Sequence, residues 1–255
     1  MIHRNWETKL TAFLANFEYT NDTTGILVCG SYITGSPTTH SDLDVHIILD
    51  DNADFRERGN KIIDGLLIEY FANPPKQILQ YFEEDIRDRS LMSQTQFATG
   101  KILLDKQGKV RGLKQKAKDM IANFYTTSPT PLSELDKYFL WDMQDDLQDA
   151  YKMGRPDFDF IYYTRLDMLL AKYMGSINRP YNSKTILGNI TDPVVREKYL
   201  LRELPDPNIS KLITEAISAK EIAAKLNAYQ QLTATIIVAN GGFDISNFKL
   251  KGELQ

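Results

Sequence analysis

One stretch of this 255-residue chain carries residue types at spacings that could do chemistry: Gly30-Ser31, ten further residues, then Asp42-Leu43-Asp44. The apolar run Gly25 to Cys29, bounded by Gly30, fits a buried strand, and a glycine at its end lets backbone approach a ligand closely. If Ser31 opens a short helix, its free N–H groups and hydroxyl make an anion site suited to phosphate. Leu43 to Leu49 reads as a second strand, and Asp42 and Asp44, two apart at its start, share a face. Two such carboxylates repel unless a divalent cation holds them. A hard, oxygen-preferring ion such as Mg²⁺ fits, and it commonly bridges carboxylates and substrate phosphates. Taken alone, Gly30-Ser31 would equally suit a strand-ending turn. Joined to the Asp pair, it is the equipment for phosphoryl or nucleotidyl transfer.

The elements that must position these residues follow from periodicity. A first helix is expected over residues 5–17, where Trp6, Leu10, Phe13, Leu14 and Phe17 recur at helical spacing. Residues 62–71 read as a Gly-interrupted strand region or hairpin, ended by Asn73-Pro74-Pro75, and Pro75 suits the first turn of a helix over 76–86. A short strand at 102–105 leads through a turn at Gly108 into an amphipathic helix marked by Leu113, Ala117, Met120, Ile121 and Phe124. Thr126-Thr-Ser-Pro-Thr-Pro131 is the most linker-like stretch. Beyond it the period is helical: 133–153, 158–175, 193–203 and 208–239, the last broken near Ser218. The fold expected is an α/β (α+β) domain with a mixed sheet over 1–126, followed by an all-helical domain over 127–255.

Composition excludes several classes. With 30 Lys+Arg against 34 Asp+Glu, the net charge is −4, and a dedicated nucleic-acid binder would need a basic surplus. The basic run from Lys101 to Lys118 reads as a solvated outer helix face. One cysteine, Cys29, rules out a disulfide framework and a cysteine zinc site, and it is read as a small core residue. His3, His40 and His46 are too scattered for a zinc motif, and His46, on the strand face of Asp44, is read as a satisfied structural histidine. No run of 18 apolar residues suggests a membrane span. The opening residues lack the apolar core of a leader peptide, so a cytoplasmic setting is expected.

Gly30-Ser31 followed by Asp42-Leu43-Asp44 resembles the signature of the DNA polymerase β-like nucleotidyltransferase superfamily. The resemblance covers the first 70 residues closely and residues 100–126 more loosely. It implies that residues 1–126 form the catalytic nucleotidyltransferase domain and that a third carboxylate comes from a neighbouring strand. Glu69, in Leu66-Leu-Ile-Glu-Tyr-Phe71, is the candidate, with Asp64 its rival nearer the turn. Asp42, Asp44 and Glu69 would then hold the metal, with Glu69 completing the metal site or deprotonating the acceptor. By the same resemblance Gly30, Ser31 and Ser41 would contact the nucleotide's phosphates.

A catalytic domain followed by a helical one resembles the antibiotic nucleotidyltransferases, including those acting on aminoglycosides and lincosamides. In those proteins the helical domain closes over the nucleotide and often supplies a lysine to the triphosphate. Lys184, after Tyr173-Met-Gly175 and a short turn, is the candidate. The resemblance implies Mg²⁺ as cofactor, ATP or another nucleoside triphosphate as co-substrate, and a small hydroxyl-bearing acceptor, an antibiotic among the options. A homodimer would suit the family. The alternatives are a nucleotidyltransferase that modifies a partner protein, and a nucleotide-binding protein with a dead site. Asp142, Asp145, Asp146 and Asp149 fall on one helix face, where they could attract a cationic substrate. The simpler reading is a solvated face opposite Leu140, Met143 and Leu147. The pair Asp157 and Asp159 is expected to cap the following helix.

Overall fold

The computed structural model describes residues 5–251. Met1 to Arg4, on which the leader reading falls, and His3 with them, lie outside the described residues. The chain divides into two compact units, one of residues 1–126 with 198–200, the other of 127–197 with 201–255.

The first unit is built on five strands: β1 (Thr23–Cys29), β2 (Leu43–Leu49), β3 (Glu57–Ile63), β4 (Leu66–Asn73) and β5 (Lys101–Asp105). Their order is β3-β4-β2-β1-β5. β2 and β4 run parallel, and the other neighbours pair antiparallel, so the sheet is mixed. All of β1 is buried, as is β2 from Val45 onward, which is why both read as near-continuous apolar runs. The hairpin joining β3 to β4 turns on Asp64 and Gly65, both at positive φ (45° and 81°). A two-residue turn of this kind matches the twist of the strands and fixes their register, here Ile63 opposite Leu66.

One face of the sheet packs on α1 (Trp6–Leu14), through Leu10, Phe13, Val28, Val45 and Ile68. The other packs on α3 (Pro75–Arg87), α4 (Met92–Thr99) and α5 (Lys109–Thr126), through Leu27, Ile48, Phe82, Phe97 and Val110. The first helix ends at Leu14, three residues short of the expected span, although Phe17 still joins the core. α4 was not foreseen. It has no side-chain cap and buries Gln94 among its core residues, so it gives no amphipathic stripe to read. Between β1 and β2 lies α2 (Ser31–Thr34), a single turn.

The second unit is helical: α6 (Glu134–Lys152), α7 (Phe158–Ser176), α8 (Ile186–Thr191), α9 (Pro193–Lys198), α10 (Pro207–Ser218) and α11 (Ile222–Ala239), then a 3₁₀ turn at Ile245–Asn247. Its core gathers Leu140, Leu147, Leu166, Leu169, Ile213 and Leu232 around Tyr162, Tyr173 and Tyr229. Tyr162 donates its hydroxyl proton to the Ala216 carbonyl at 2.7 Å, satisfying a buried polar tip. Ser133 and Asp136 close a reciprocal capping box on α6. The α+β domain followed by a helical region is the fold class expected from sequence.

Three local expectations need correction. The helix begun at Pro193 ends at Lys198 rather than 203, close to Leu200 at φ +57°, a conformation a branched side chain rarely sustains inside a helix. α8 was not anticipated, being only six residues long. Asp157 occupies the N-cap position of α7 but makes no side-chain cap bond. Its carboxylate is taken instead by Arg155, at 2.9 and 2.6 Å, and Asp159 pairs with Lys225 at 2.7 Å.

Candidate metal and nucleotide site

Asp44 is the second residue of β2, and the register places Cys29 of β1 opposite it on one side and Glu69 of β4 on the other. Side chains directly opposite in paired strands share a face. Asp42 stands just before the strand. The result is a cluster in which one carboxylate oxygen each from Asp42, Asp44 and Glu69 lies within 4.8 Å of the others. The rival Asp64 lies in the hairpin turn, where its carbonyl accepts a hydrogen bond from Lys9 Nζ at 2.7 Å.

Gly30 is required here on two counts. Its φ of +74° and ψ of −161° fall in a region essentially restricted to glycine. A Cβ at this position would also stand 2.1 Å from Asp44 Oδ2. The missing side chain is therefore the space the carboxylate occupies. Ser31 opens α2 half-buried, and its carbonyl accepts from the N–H groups of Gly35 and Ser36, each at 3.0 Å. Ser41 Oγ accepts the Thr38 N–H at 2.8 Å, closing the turn ahead of Asp42. Lys184 belongs to the second unit, in an exposed turn before α8.

The electrostatics fit a cation. Burial pushes the Asp44 carboxyl up to about 6, and the nearby Asp42 and Glu69 charges add to the shift. Mutual repulsion among converging carboxylates is what a bound cation removes. An all-carboxylate oxygen set suits a hard divalent ion such as Mg²⁺.

Arg58, on β3, was not foreseen as part of this site. Its guanidinium donates to Glu69 Oε1 from Nη2 at 2.5 Å and from Nε at 3.1 Å, and it lies over the Phe71 ring at 4.9 Å. The hairpin register, with Arg58 opposite Phe71, sets this diagonal. Counting back from the Asp64-Gly65 turn would have found it.

His46 follows Asp44 on the same face and is buried. Nε2 lies 3.2 Å from Gln96 Oε1, and the ring packs against Phe71 and Phe97, at 5.2 and 4.7 Å between centroids. Burial lowers its pKa to about 4, so it is neutral near pH 7. Cys29 is buried, and burial with the Asp44 charge raises its thiol well above the ordinary range, leaving it protonated and inert. Beside the carboxylates the first unit holds a cavity of about 680 Å³, reached from Asp44 and Glu69.

No protein-family model matches the chain, and no curated protein matches it. Among solved structures it is similar to a nucleotidyltransferase-like protein from Exiguobacterium sibiricum 255-15. The two share 14% identity over 92% of this chain and 75% of that one, at a TM-score of 0.43. A likeness of that size carries no argument about the site, and the carboxylate geometry stands by itself. No helix among the described residues is long and apolar enough to cross a membrane.

Proposed function

We propose that this protein is a nucleotidyltransferase that moves a nucleoside monophosphate, AMP from ATP in the leading form, to a hydroxyl of a small molecule and releases pyrophosphate. The observation that carries the reading is the meeting of Asp42, Asp44 and Glu69 within 4.8 Å beside a glycine whose Cβ would collide with Asp44. In this reading Asp42, Asp44 and Glu69 hold Mg²⁺. When bound, the ion offsets charge on the phosphate oxygens and lowers the barrier to attack at phosphorus. Gly30, at the end of β1, leaves room for the Asp44 carboxylate, and its turn would receive the phosphates. Ser31 and Ser41 flank that approach, and Glu69 receives the proton of the acceptor hydroxyl, for which reach matters before pKa. Arg58 fixes the Glu69 carboxylate through two N–H bonds. Lys184 would contribute a positive charge to nucleotide binding.

The test is calorimetric titration of ATP and the other nucleoside triphosphates, with and without Mg²⁺, into the protein and its Asp44→Ala variant. Saturable, Mg²⁺-dependent binding that the substitution abolishes is expected. Failure of every nucleotide to bind would overturn the reading. Binding with no pyrophosphate release across an acceptor screen would point to a nucleotide-binding protein instead.

A further inference from the structure

The 680 Å³ cavity and the glycine turn lie on opposite flanks of Asp44. The sheet order puts β1 on one side of β2 and β4 on the other. Gly30 and α2 follow β1, whereas the cavity is lined from β2, β3, β4, α3 and α4, with no lining residue from β1 or α2. Displacement at phosphorus brings the entering oxygen in roughly opposite the leaving group. A triphosphate extending towards Gly30 therefore presents its α-phosphorus to an acceptor that arrives from the cavity.

We infer that this cavity is the acceptor pocket and that it takes a ring-bearing alcohol, a flat uncharged ring joined by a short chain to the reacting hydroxyl. The inference rests on the nucleotidyltransferase reading above. A volume of 680 Å³ falls within the range of small-molecule sites, about 300–1,000 Å³.

The lining selects the class. Its inner part is ring surface from Phe71, Phe97 and His46. Several of the polar groups around it are engaged with one another or with the wall. Gln96 meets His46 at 3.2 Å, Asp85 Oδ2 accepts the Ser93 N–H at 2.7 Å, Arg56 donates to the Tyr81 hydroxyl, and Arg58 is held by Glu69. A polyhydroxylated guest would compete with such pairs for hydrogen bonds, and groups left unmatched on burial are costly. A flat ring breaks none of them and gains from offset or edge contacts with the aromatic wall. Arg58 supplies a further plane: one side lies over Phe71 at 4.9 Å, while its side chain is 69% exposed, and guanidinium planes stack on rings.

In the reaction this pocket would serve, the acceptor oxygen forms a bond to the α-phosphorus. The bond from that phosphorus to the bridging oxygen breaks, and its electron pair leaves with pyrophosphate. The hydroxyl proton passes to Glu69 and then to water.

The test uses the full-length protein with Met92→Trp. Met92 lines the cavity and is 64% exposed, and neither Trp6 nor Trp141 lines it, so the substitution places a reporter there and leaves the carboxylates intact. The probe is 2-(4-nitrophenyl)ethanol, whose ring quenches indole emission. Saturable quenching is expected, unchanged by sorbitol and retained with Mg²⁺ and an α,β-methylene analogue of ATP. Saturation-transfer NMR on the unsubstituted protein checks the same binding without any variant. Displacement of the probe by sorbitol, or by the ATP analogue, would overturn the inference, as would no probe binding in either format. If the probe fails while Mg²⁺–ATP binds, the pocket inference falls alone. If the probe binds while no nucleotide does, the acceptor role falls with the nucleotidyltransferase reading.

Discussion

Gly30 and Asp44 occupy one volume between them, since the position a Cβ would take at residue 30 lies 2.1 Å from Asp44 Oδ2. Gly30→Ala therefore strains the backbone by roughly 1–3 kcal/mol and also turns the carboxylate out of the cluster. Mn²⁺ binding followed by electron paramagnetic resonance should weaken at least tenfold while far-UV circular dichroism is unchanged. A second prediction concerns two neighbours on β2 whose titrations oppose each other. Asp44 is raised from 3.8 to about 6, so across that window the native state keeps a proton the unfolded chain releases, and stability falls as pH rises. His46 is lowered from 6.5 to about 4, so across its window the unfolded chain takes a proton the native state declines, and stability rises with pH. In EDTA the two slopes partly cancel between about pH 4 and 6. Thermal unfolding of Asp44→Asn should then show a steeper gain in midpoint with pH, and His46→Gln a loss over the same range. These residues were legible because Gly30, Asp42 and Asp44 lie close together in sequence. Arg58 was not, because its place depends on a register.

That register is made at the element scale by the Asp64-Gly65 turn. Gly65 has φ +81°, and Gly65→Ala should cost about 1–2 kcal/mol, the penalty for holding a side chain at positive φ. The cost is read as a lowered urea midpoint with the m-value unchanged. β1 and β2 could be read closely because both faces of each are covered. β3, Glu-Arg-Gly-Asn-Lys-Ile-Ile, could not: it is an edge strand whose side chains are mostly exposed or half-buried, and polar edges are how sheets avoid pairing with other chains. α4 escaped notice for the opposite reason, a buried polar residue. Gln94 spends its amide on the Phe82 carbonyl at 2.6 Å, a partner 12 residues away that no helical periodicity reveals. The cavity inherits this opacity, since its wall is drawn from five elements between residues 44 and 97.

For the whole molecule, each unit carries its own apolar core, and the Pro- and Thr-rich stretch at 127–131 is exposed. Calorimetry with Mg²⁺ and a non-transferable ATP analogue should raise the transition of the first unit by about 2.7 kcal/mol at a hundredfold excess over Kd. The same addition to Asp44→Ala should leave every transition in place. Charge at this scale is largely spent inside the chain. In the basic run, Lys101 pairs with Glu7, Lys109 with Asp51 and Arg111 with Asp105, while Lys106 donates to the Thr23 carbonyl. The acidic stripe of α6 is met in part by Arg165 on Asp146 and Lys152 on Asp149. Sequence favoured a solvated face for both runs but could not name these partners, which are mostly distant along the chain.

The parallel pairing of β2 with β4, which sets Asp44 opposite Glu69, also bears on the order of events as the chain folds. β3 and β4 are joined by a two-residue turn, so they can zip locally, whereas β2 can meet β4 only after some two dozen residues have closed into a loop. Contacts of that separation tend to mature after local ones. A cation held across these two strands would then stabilise the finished state more than the barrier leading to it. Stopped-flow refolding should proceed at one rate with or without Mg²⁺, while unfolding slows as the ion is added.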